Sequence, residues 1–486
     1  MSLWDEFVRT ARAHAGAPAL SAGSVLLCYG ETLAAVQEFG GRLTEAGLRP
    51  GRTAAVQSAM SVEGVVSALA VMRAGATLLP LDASLKSLEV ERACRQSGAC
   101  LFIAEHPEAV ASLTDCTALS LPTADEVAVW ARVRPAEDGG GSAGDFLFLS
   151  SGTTGLPKIV VRAHAQMEAA VRIRRSVHPY GPTDRVLGIM PMAHTSGFAH
   201  VMLAALLSGA SLRAEPFSPR AAATAIERDG ITVLRAAPFM FALMAQTEFR
   251  TRPDFGSVRL AVAAGSALTP AVGHAFRQAF GVGIWQSYGA TEAGPVTMAQ
   301  PDVGMGRAGS VGQPCPEVTV EVWDEHGQPL PPEGEGEVVV RSPAVASGYL
   351  NLPVETLRAF RNGAFLTGDL GRLEADGSLT LTGRRKAMID VAGKKVSPAE
   401  VEACLRSHPR VADVAVGSVV GTAGERVKAW VVPLGELTAR ELREFCVARL
   451  ADHKVPREIE FVPTLAAGPM GKPKVPRPEG RTPDGG

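Results

Sequence analysis

The chain has 486 residues with 48 basic and 50 acidic side chains, a formal net charge of −2, and 46% hydrophobic residues. That length suits about three domain-sized units, with enough core to need no disulfide or metal staple. The balanced charge argues against a strongly basic nucleic-acid or anionic-membrane binder, and the apolar content against a disordered chain. The cysteines (Cys28, Cys94, Cys100, Cys116, Cys315, Cys404, Cys446) are odd in number and include no C-x-x-C pair. They read as reduced, structural thiols of a cytoplasmic protein, not as a disulfide framework or zinc ribbon. The start, MSLWDEF, has no basic region followed by an apolar core, so no secretory leader is expected. The apolar run at 201–210 is too short for a membrane span, which needs about 20 residues.

In chain order, 53–58 reads as a strand, 62–75 as a helix, 77–81 as a strand, 88–97 as a helix and 99–104 as a strand. The rhythm continues with strands at 185–190, 232–235 and 259–263. Strands separated by helices of about 10–15 residues predict parallel βαβ units covered on both faces. A Gly/Ser-rich loop is expected at 135–144. From 312 the texture changes, and short alternating runs at 319–323, 335–340 and 378–382 predict an antiparallel section. A smaller αβ unit follows GRRK at 383–386. Its helix at 398–406 opens with SPAE, which predicts Ser397 as N-cap, Pro398 at the first position and Glu400 three residues on. A second helix is expected at 438–450, and a mobile Pro/Gly/Lys-rich tail from 468.

The strongest chemical signal is FLFLSSGTTGLPK at 146–158, an apolar strand running into Ser150, Ser151, Gly152, Thr153, Thr154, Gly155 and Lys158. Glycines let backbone N–H groups approach a phosphate, hydroxyls add donors, and the lysine supplies charge. It lacks the Walker order G-x-x-x-x-G-K-[ST], and its composition equally describes a plain connecting loop. In WQSYGATE at 285–292, Glu292 suits a divalent cation while Tyr288 and Thr291 add hydroxyls. A lone glutamate after a turn is also an ordinary solvated group. FLTGD at 365–369 ends an apolar run in Asp369, which suits two ribose hydroxyls or a turn cap. Lys472 lies in the tail, where a lone lysine normally faces solvent.

Taken in order, these segments resemble the adenylate-forming (AMP-binding) superfamily of acyl- and aryl-CoA synthetases, luciferases and peptide-synthetase adenylation domains. The resemblance is carried by LSSGTTGLPK (149–158), YGATE (288–292), Gly336 and Glu337 with GYLN (348–351), TGD (367–369), GRRK (383–386) and Gly471-Lys472. GSVGQP (309–314) and GKKVSPAEVE (393–402) match between them, so that it spans about residues 4 to 474. It implies an α/β fold. A large N-terminal domain, 1–385, would hold two parallel-rich αβ subdomains plus a distorted β-barrel, followed by a small mobile C-terminal α+β lid domain, 386–486.

The resemblance further implies an ATP-dependent acyl- or aryl-CoA ligase. A carboxylate would attack the α-phosphate of MgATP to give acyl-AMP and pyrophosphate, and the thiol of CoA would then displace AMP. Ser150 to Gly155 with Lys158 would wrap the β- and γ-phosphates, Thr291 would contact the α-phosphate, and Glu292 would bind Mg2+. Gly265, Ser266, Ala267 and Tyr288 would enclose the adenine, and Asp369 with Arg384 would hold the ribose. Lys472 would bridge the carboxylate and α-phosphate. Lys386 matches the hinge about which the small domain turns, bringing 391–395, with Gly393, to a thiol tunnel.

His194 matches the histidine beside the acyl site of such ligases and completes the implied catalytic set with Lys472, Thr291 and Glu292. On the residues alone, it is equally a hydrogen-bonded core histidine. Phe198, Met202, Ala264, Ser287, Gly289 and Ala290 would line the acyl pocket, with Gly289 small where acetate-activating relatives carry an aromatic block. No Asp follows at 193–197 to hold an α-ammonium, so the expected partners are CoA and a carboxylic acid larger than acetate without an α-amine. No nucleic-acid or membrane partner is expected. Two departures bear on the first half-reaction: Ala387 follows the hinge where relatives are acidic, and Pro473 removes an N–H directly after Lys472, which makes Lys474 a competitor. A stand-alone enzyme loading a carrier protein, a ligase acting mainly on preformed acyl-AMP and a non-catalytic nucleotide sensor stand as alternatives.

Overall fold

The computed structural model describes residues 2–104, 117–122, 128–133, 144–150, 158–301, 309–384, 388–421 and 424–465. These residues fall into two compact units, one running through the strand that ends at Arg384 and one beginning at 388.

The large unit holds two sheets. In the first, Thr53–Ser58 pairs in parallel with both Thr77–Asp82 and Ala99–Ala104, and Leu78 pairs in parallel with Phe146. Nearly every residue of these strands is buried, as expected of parallel strands covered on both faces. The helix Val62–Arg73 connects the first two. It starts because Ser61 Oγ accepts from the Gly64 N–H at 2.9 Å, and stops short of the predicted end because Gly75 takes φ +65°. Gly64 is needed for the packing: a Cβ there would lie 1.9 Å from Ser58 Oγ.

The second sheet has a parallel centre of Ser211–Ala214, Arg185–Gly188, Val233–Ala236, Leu260–Ala264 and Ile284–Ala290. At Gly294–Ala299 it turns antiparallel and continues through Ser310–Pro314, Leu379–Arg384, Ala364–Leu373, Gly336–Arg341 and Thr319–Trp323. The predicted antiparallel section is thus a ladder hydrogen-bonded onto the parallel sheet. Beside a smaller apolar cluster around Leu79, Phe102 and Leu147, one large apolar core reaches both sheets of the unit. The apolar run at 201–210 lies inside it: a π-helical turn, Ser196–Leu203, leads into Ala204–Leu206, all but walled off from solvent. No helix of the described residues is long and apolar enough to cross a membrane.

The small unit packs Pro398–Arg406 and Ala439–Val447 with the ladder Val411–Gly421, Gly424–Pro433 and Glu458–Phe461 around its own core. The second helix carries a capping box from Thr438 to Glu441. The helix at SPAE carries no such box. Ser397 sits at the cap position with Pro398 first in the helix, as expected, but its hydroxyl makes no cap bond, and the Glu400 side chain, instead of reaching back to the Ser397 N–H, forms a buried ion pair with Lys454 at 2.9 Å. A buried ammonium attracts the carboxylate more strongly than one cap N–H. The expected loop at 135–143, the tail from 468, and Cys116 lie outside the described residues.

Candidate active site

The strands Leu260–Ala264 and Ile284–Ala290 run in parallel, and the first ends at Ala264 opposite Ser287, three residues before the end of the second. Gly265, Ser266 and Ala267 therefore leave the sheet beside Tyr288, just where the sheet changes from parallel to antiparallel. Open α/β sheets bind ligands in such a crevice outside the carboxyl ends of their strands. Gly265, at φ +91°, and Ala267 are exposed there. Thr291 and Glu292 occupy the tight connection to the next strand, both half-buried.

Tyr288 joins this crevice to the antiparallel ladder. Its hydroxyl donates to Asp369 Oδ2 at 2.7 Å. Asp369 is aimed by the turn before it: Gly368 takes φ +72° and donates its N–H to Glu337 Oε1 at 3.1 Å. Thr367 Oγ1 meanwhile accepts from the Asp369 N–H at 3.0 Å and donates to the Val338 carbonyl at 2.8 Å. Arg384 stands directly opposite Asp369 in the ladder.

Tyr349 makes a second junction. Gly348–Tyr349 pairs antiparallel with Lys158–Arg162, which puts Tyr349 opposite Val160. The Tyr349 hydroxyl donates to Glu292 Oε1 at 3.1 Å, and Lys158 Nζ lies 4.4 Å from the centre of the same ring. Ser150 pairs with Lys158 across the hairpin, so both ends of the Gly/Ser/Thr segment are anchored. Ser151, Gly152, Thr153, Thr154 and Gly155 lie outside the described residues, as do Lys386 and Lys472. Beneath Glu292 is the fully buried Arg162, which donates to the Ala344 carbonyl. Burial pulls its guanidinium down to about 10, against the support of the Glu292 charge.

Side chains alternate along a strand, so Ser287 faces away from Tyr288. On that side its Oγ accepts from Arg235 Nη2 at 3.2 Å, while Arg235 Nε donates to Ser196 Oγ at 2.9 Å and Nη2 to His200 Nδ1 at 3.4 Å. His194 is exposed, which rules out the core-histidine reading; the buried histidine of this segment is His200. Of the other predicted acyl-pocket residues, Phe198 packs against Phe146 and Phe148, Met202 and Ala264 are buried, and Ala290 is half-buried. Gly289 has a second reason to be glycine. A Cβ there would lie 2.4 Å from the Gly294 carbonyl oxygen across the hairpin, so pocket depth does not follow from its small size.

In the small unit, Gly393 forms a hairpin tip with Ala392. Both take positive φ, and Asp390 accepts from the Gly393 N–H at 2.7 Å and from Lys395 Nζ at 2.6 Å.

Sequence reasoning assigned no role to Tyr349 or Glu337, although both stand in the quoted motifs. It missed Arg235 altogether, although an arginine inside the apolar run TVLRAAP at 232–238 was a visible signal.

The AMP-binding enzyme family model matches residues 7–350, and the AMP-binding enzyme C-terminal domain model matches residues 400–472. A feruloyl-CoA synthase from an Amycolatopsis species is 31% identical over 484 residues, covering 97% of each chain. Among solved structures, a double mutant of o-succinylbenzoate CoA synthetase from Bacillus subtilis is 25% identical with a TM-score of 0.86, covering 98% of this chain and 97% of the other. An amide bond synthetase from Marinactinospora thermotolerans is 29% identical with a TM-score of 0.83, covering 97% of this chain and 98% of the other.

Proposed function

Since the chain belongs to the AMP-binding enzyme family, we propose that it is an AMP-forming acyl- or aryl-CoA ligase, activating a carboxylic acid with ATP and passing the acyl group to CoA. The observation that carries this reading is the pair of tyrosine junctions. Tyr288 on Asp369, at 2.7 Å, and Tyr349 between Glu292 and Lys158 gather separate motifs at one crevice.

In this reading Asp369 takes the ribose hydroxyls, aligned by Tyr288 and with Arg384 across the ladder. Gly265, Ser266 and Ala267 enclose the adenine with the Tyr288 ring. Lys158 and the segment from Ser150 to Gly155 compensate the β- and γ-phosphates, and Thr291 meets the α-phosphate. Bringing a carboxylate against a polyanion is the physical difficulty, and positioning with charge compensation lowers that barrier. Lys472 supplies the remaining cation, placed between the two anions.

Glu292 would hold Mg2+. Among the described residues no cluster of three or more Asp, Glu, His or Cys exists, and a single carboxylate is what a cation arriving with a triphosphate uses. When bound, the ion would spread the negative charge of the phosphates.

The acid is taken to be larger than acetate and without an α-amine, since no acidic residue stands at 193–197 to hold an α-ammonium. Rotation about Lys386 would exchange Lys472 for the hairpin tip at Gly393 and open the way for the thiol. The buried thiols Cys94, Cys100 and Cys446, none of them in a disulfide, suit a cytoplasmic location.

Product analysis tests the reading. Purified protein with MgATP, CoA and a pool of aryl, fatty and polycyclic acids is expected to yield acyl-CoA in a Lys472-dependent manner. Acyl-AMP without acyl-CoA would move the assignment to a carrier-loading enzyme. An amide formed with an added amine would match the second structural neighbour instead.

A further inference from the structure

Arg162, Arg174 and Arg235 are the largest fully buried side chains of the described residues. For Arg235 every partner is neutral: Ser196 Oγ at 2.9 Å, Ser287 Oγ at 3.2 Å and His200 Nδ1 at 3.4 Å. Its Nη1 has no partner. Because a guanidinium only donates, His200 Nδ1 must accept, which places the ring proton on Nε2, and that atom also lacks a partner. Burial and the adjoining guanidinium hold His200 neutral, well below the usual histidine range. The second cation nearby, Arg174, is likewise bonded to neutral groups, Tyr180 Oη and His178 Nδ1, each at 3.2 Å.

The same protein shows how it satisfies a structural arginine. Arg259 makes a two-point contact with Asp184, at 2.7 and 2.6 Å, and a third to the Pro179 carbonyl at 2.8 Å. Arg235 has no such carboxylate. A buried, unpaired guanidinium is costly, and its fork of donors matches a carboxylate or similar oxyanion.

We infer that the acid substrate carries a second anionic group, and that Arg235 with His200 receives it at the far end of the acyl pocket. This rests on the ligase reading above. The location follows from Ser287 and Ser196, which hold the guanidinium: one precedes Tyr288 and the other follows His194 by two residues. Tyr288 faces Asp369 on the opposite side of its strand, so the nucleotide and Arg235 are separated by that strand. The carboxylate that reacts must reach the nucleotide side, by Thr291. The anion at Arg235 is therefore another group of the same molecule, a second carboxylate or a sulfonate.

Matched acids test this. Linear and aromatic monocarboxylic acids are compared with their counterparts carrying a second carboxylate or a sulfonate at the far end. ATP–pyrophosphate exchange and calorimetric binding in the presence of AMP are both measured, for the wild type, Arg235→Gln and Arg235→Lys. The wild type is expected to favour the doubly acidic partner by about 100-fold in kcat/KM. Arg235→Gln should lose that preference, with the larger loss falling on the doubly acidic partner, and Arg235→Lys should keep part of it. The unliganded Arg235→Gln protein should melt no lower than the wild type. Equal use of both acids by the wild type overturns the inference. So does a variant that melts lower and loses mono- and diacids alike, which marks Arg235 as structural. Absence of exchange with every acid rejects the ligase reading, and calorimetry, which needs no catalysis, still decides the role of Arg235.

Discussion

Tyr288 donates to Asp369 Oδ2 at 2.7 Å across 81 residues of sequence, joining the last parallel strand to the antiparallel ladder. The bond leaves Asp369 a carboxylate held in one orientation. Removing the hydroxyl in Tyr288→Phe should raise the KM for ATP about tenfold with little change in kcat, the value of one hydrogen bond to a charged group. Steady-state kinetics at varied ATP decide it, and an equal fall in kcat would place the tyrosine in the chemical step instead.

Lys472 is assigned to the charge shared between carboxylate and α-phosphate, which is largest in the transition state. Lys472→Ala is expected to slow pyrophosphate release by roughly 1,000-fold, about 4 kcal/mol, with ATP binding retained. Release at the wild-type rate would transfer the role to Lys474.

Lys386 is assigned to a hinge, and a hinge acts on one conformational step alone. Lys386→Pro should keep the burst of acyl-AMP and lose thioester formation when the two half-reactions are assayed separately. Thioester formation at the normal rate would reject the hinge.

The Glu400–Lys454 pair is almost completely buried, with side chains 4% and 8% exposed. Lys454→Met leaves a buried carboxylate without its cation and should destabilise the small unit by about 3–5 kcal/mol. The double variant Glu400→Leu with Lys454→Met should recover most of that loss in denaturant unfolding, since no buried charge then remains.

His178 gives the stability a pH dependence. Desolvation, followed by the charge of Arg174, lowers its pKa from 6.5 to about 4. Arg174 donates to its Nδ1 at 3.2 Å, and the ring packs edge-on to Trp285 at 4.3 Å. The unfolded chain binds this proton first as the pH falls. The contribution is therefore complete above pH 6.5 and is lost as the pH drops from 6.5 towards 4. Melting temperatures across that window should decline, and His178→Asn should flatten the decline. An unchanged slope in the variant would assign it to other groups.

Local order in the chain was enough to identify the family and the alternation of strands and helices. Strands such as Thr53–Ser58 and Ala99–Ala104 are buried on both faces, so their apolar runs are continuous and legible. The YGATE turn and the TGD turn were legible too, because backbone conformation and short-range chemistry fix which residues can stand there.

What the sequence by itself could not determine was which side chains meet. SPAE carries every residue of a helix cap, yet Glu400 is drawn to Lys454, 54 residues away, because a buried ammonium outweighs a local N–H. His194 and His200 lie in one apolar segment, and only the packing of the π-helical turn decided that the first is exposed and the second buried. Arg235 is one charge in an apolar strand, and its meaning depends on Ser196, His200 and Ser287 arriving from other elements. Propensity and backbone geometry act over a few neighbouring residues and can be read along the chain. Charge pairing and desolvation act through space, so the buried cluster of Arg235, Ser196, His200 and Ser287 could be seen only when the sheet brought those residues together.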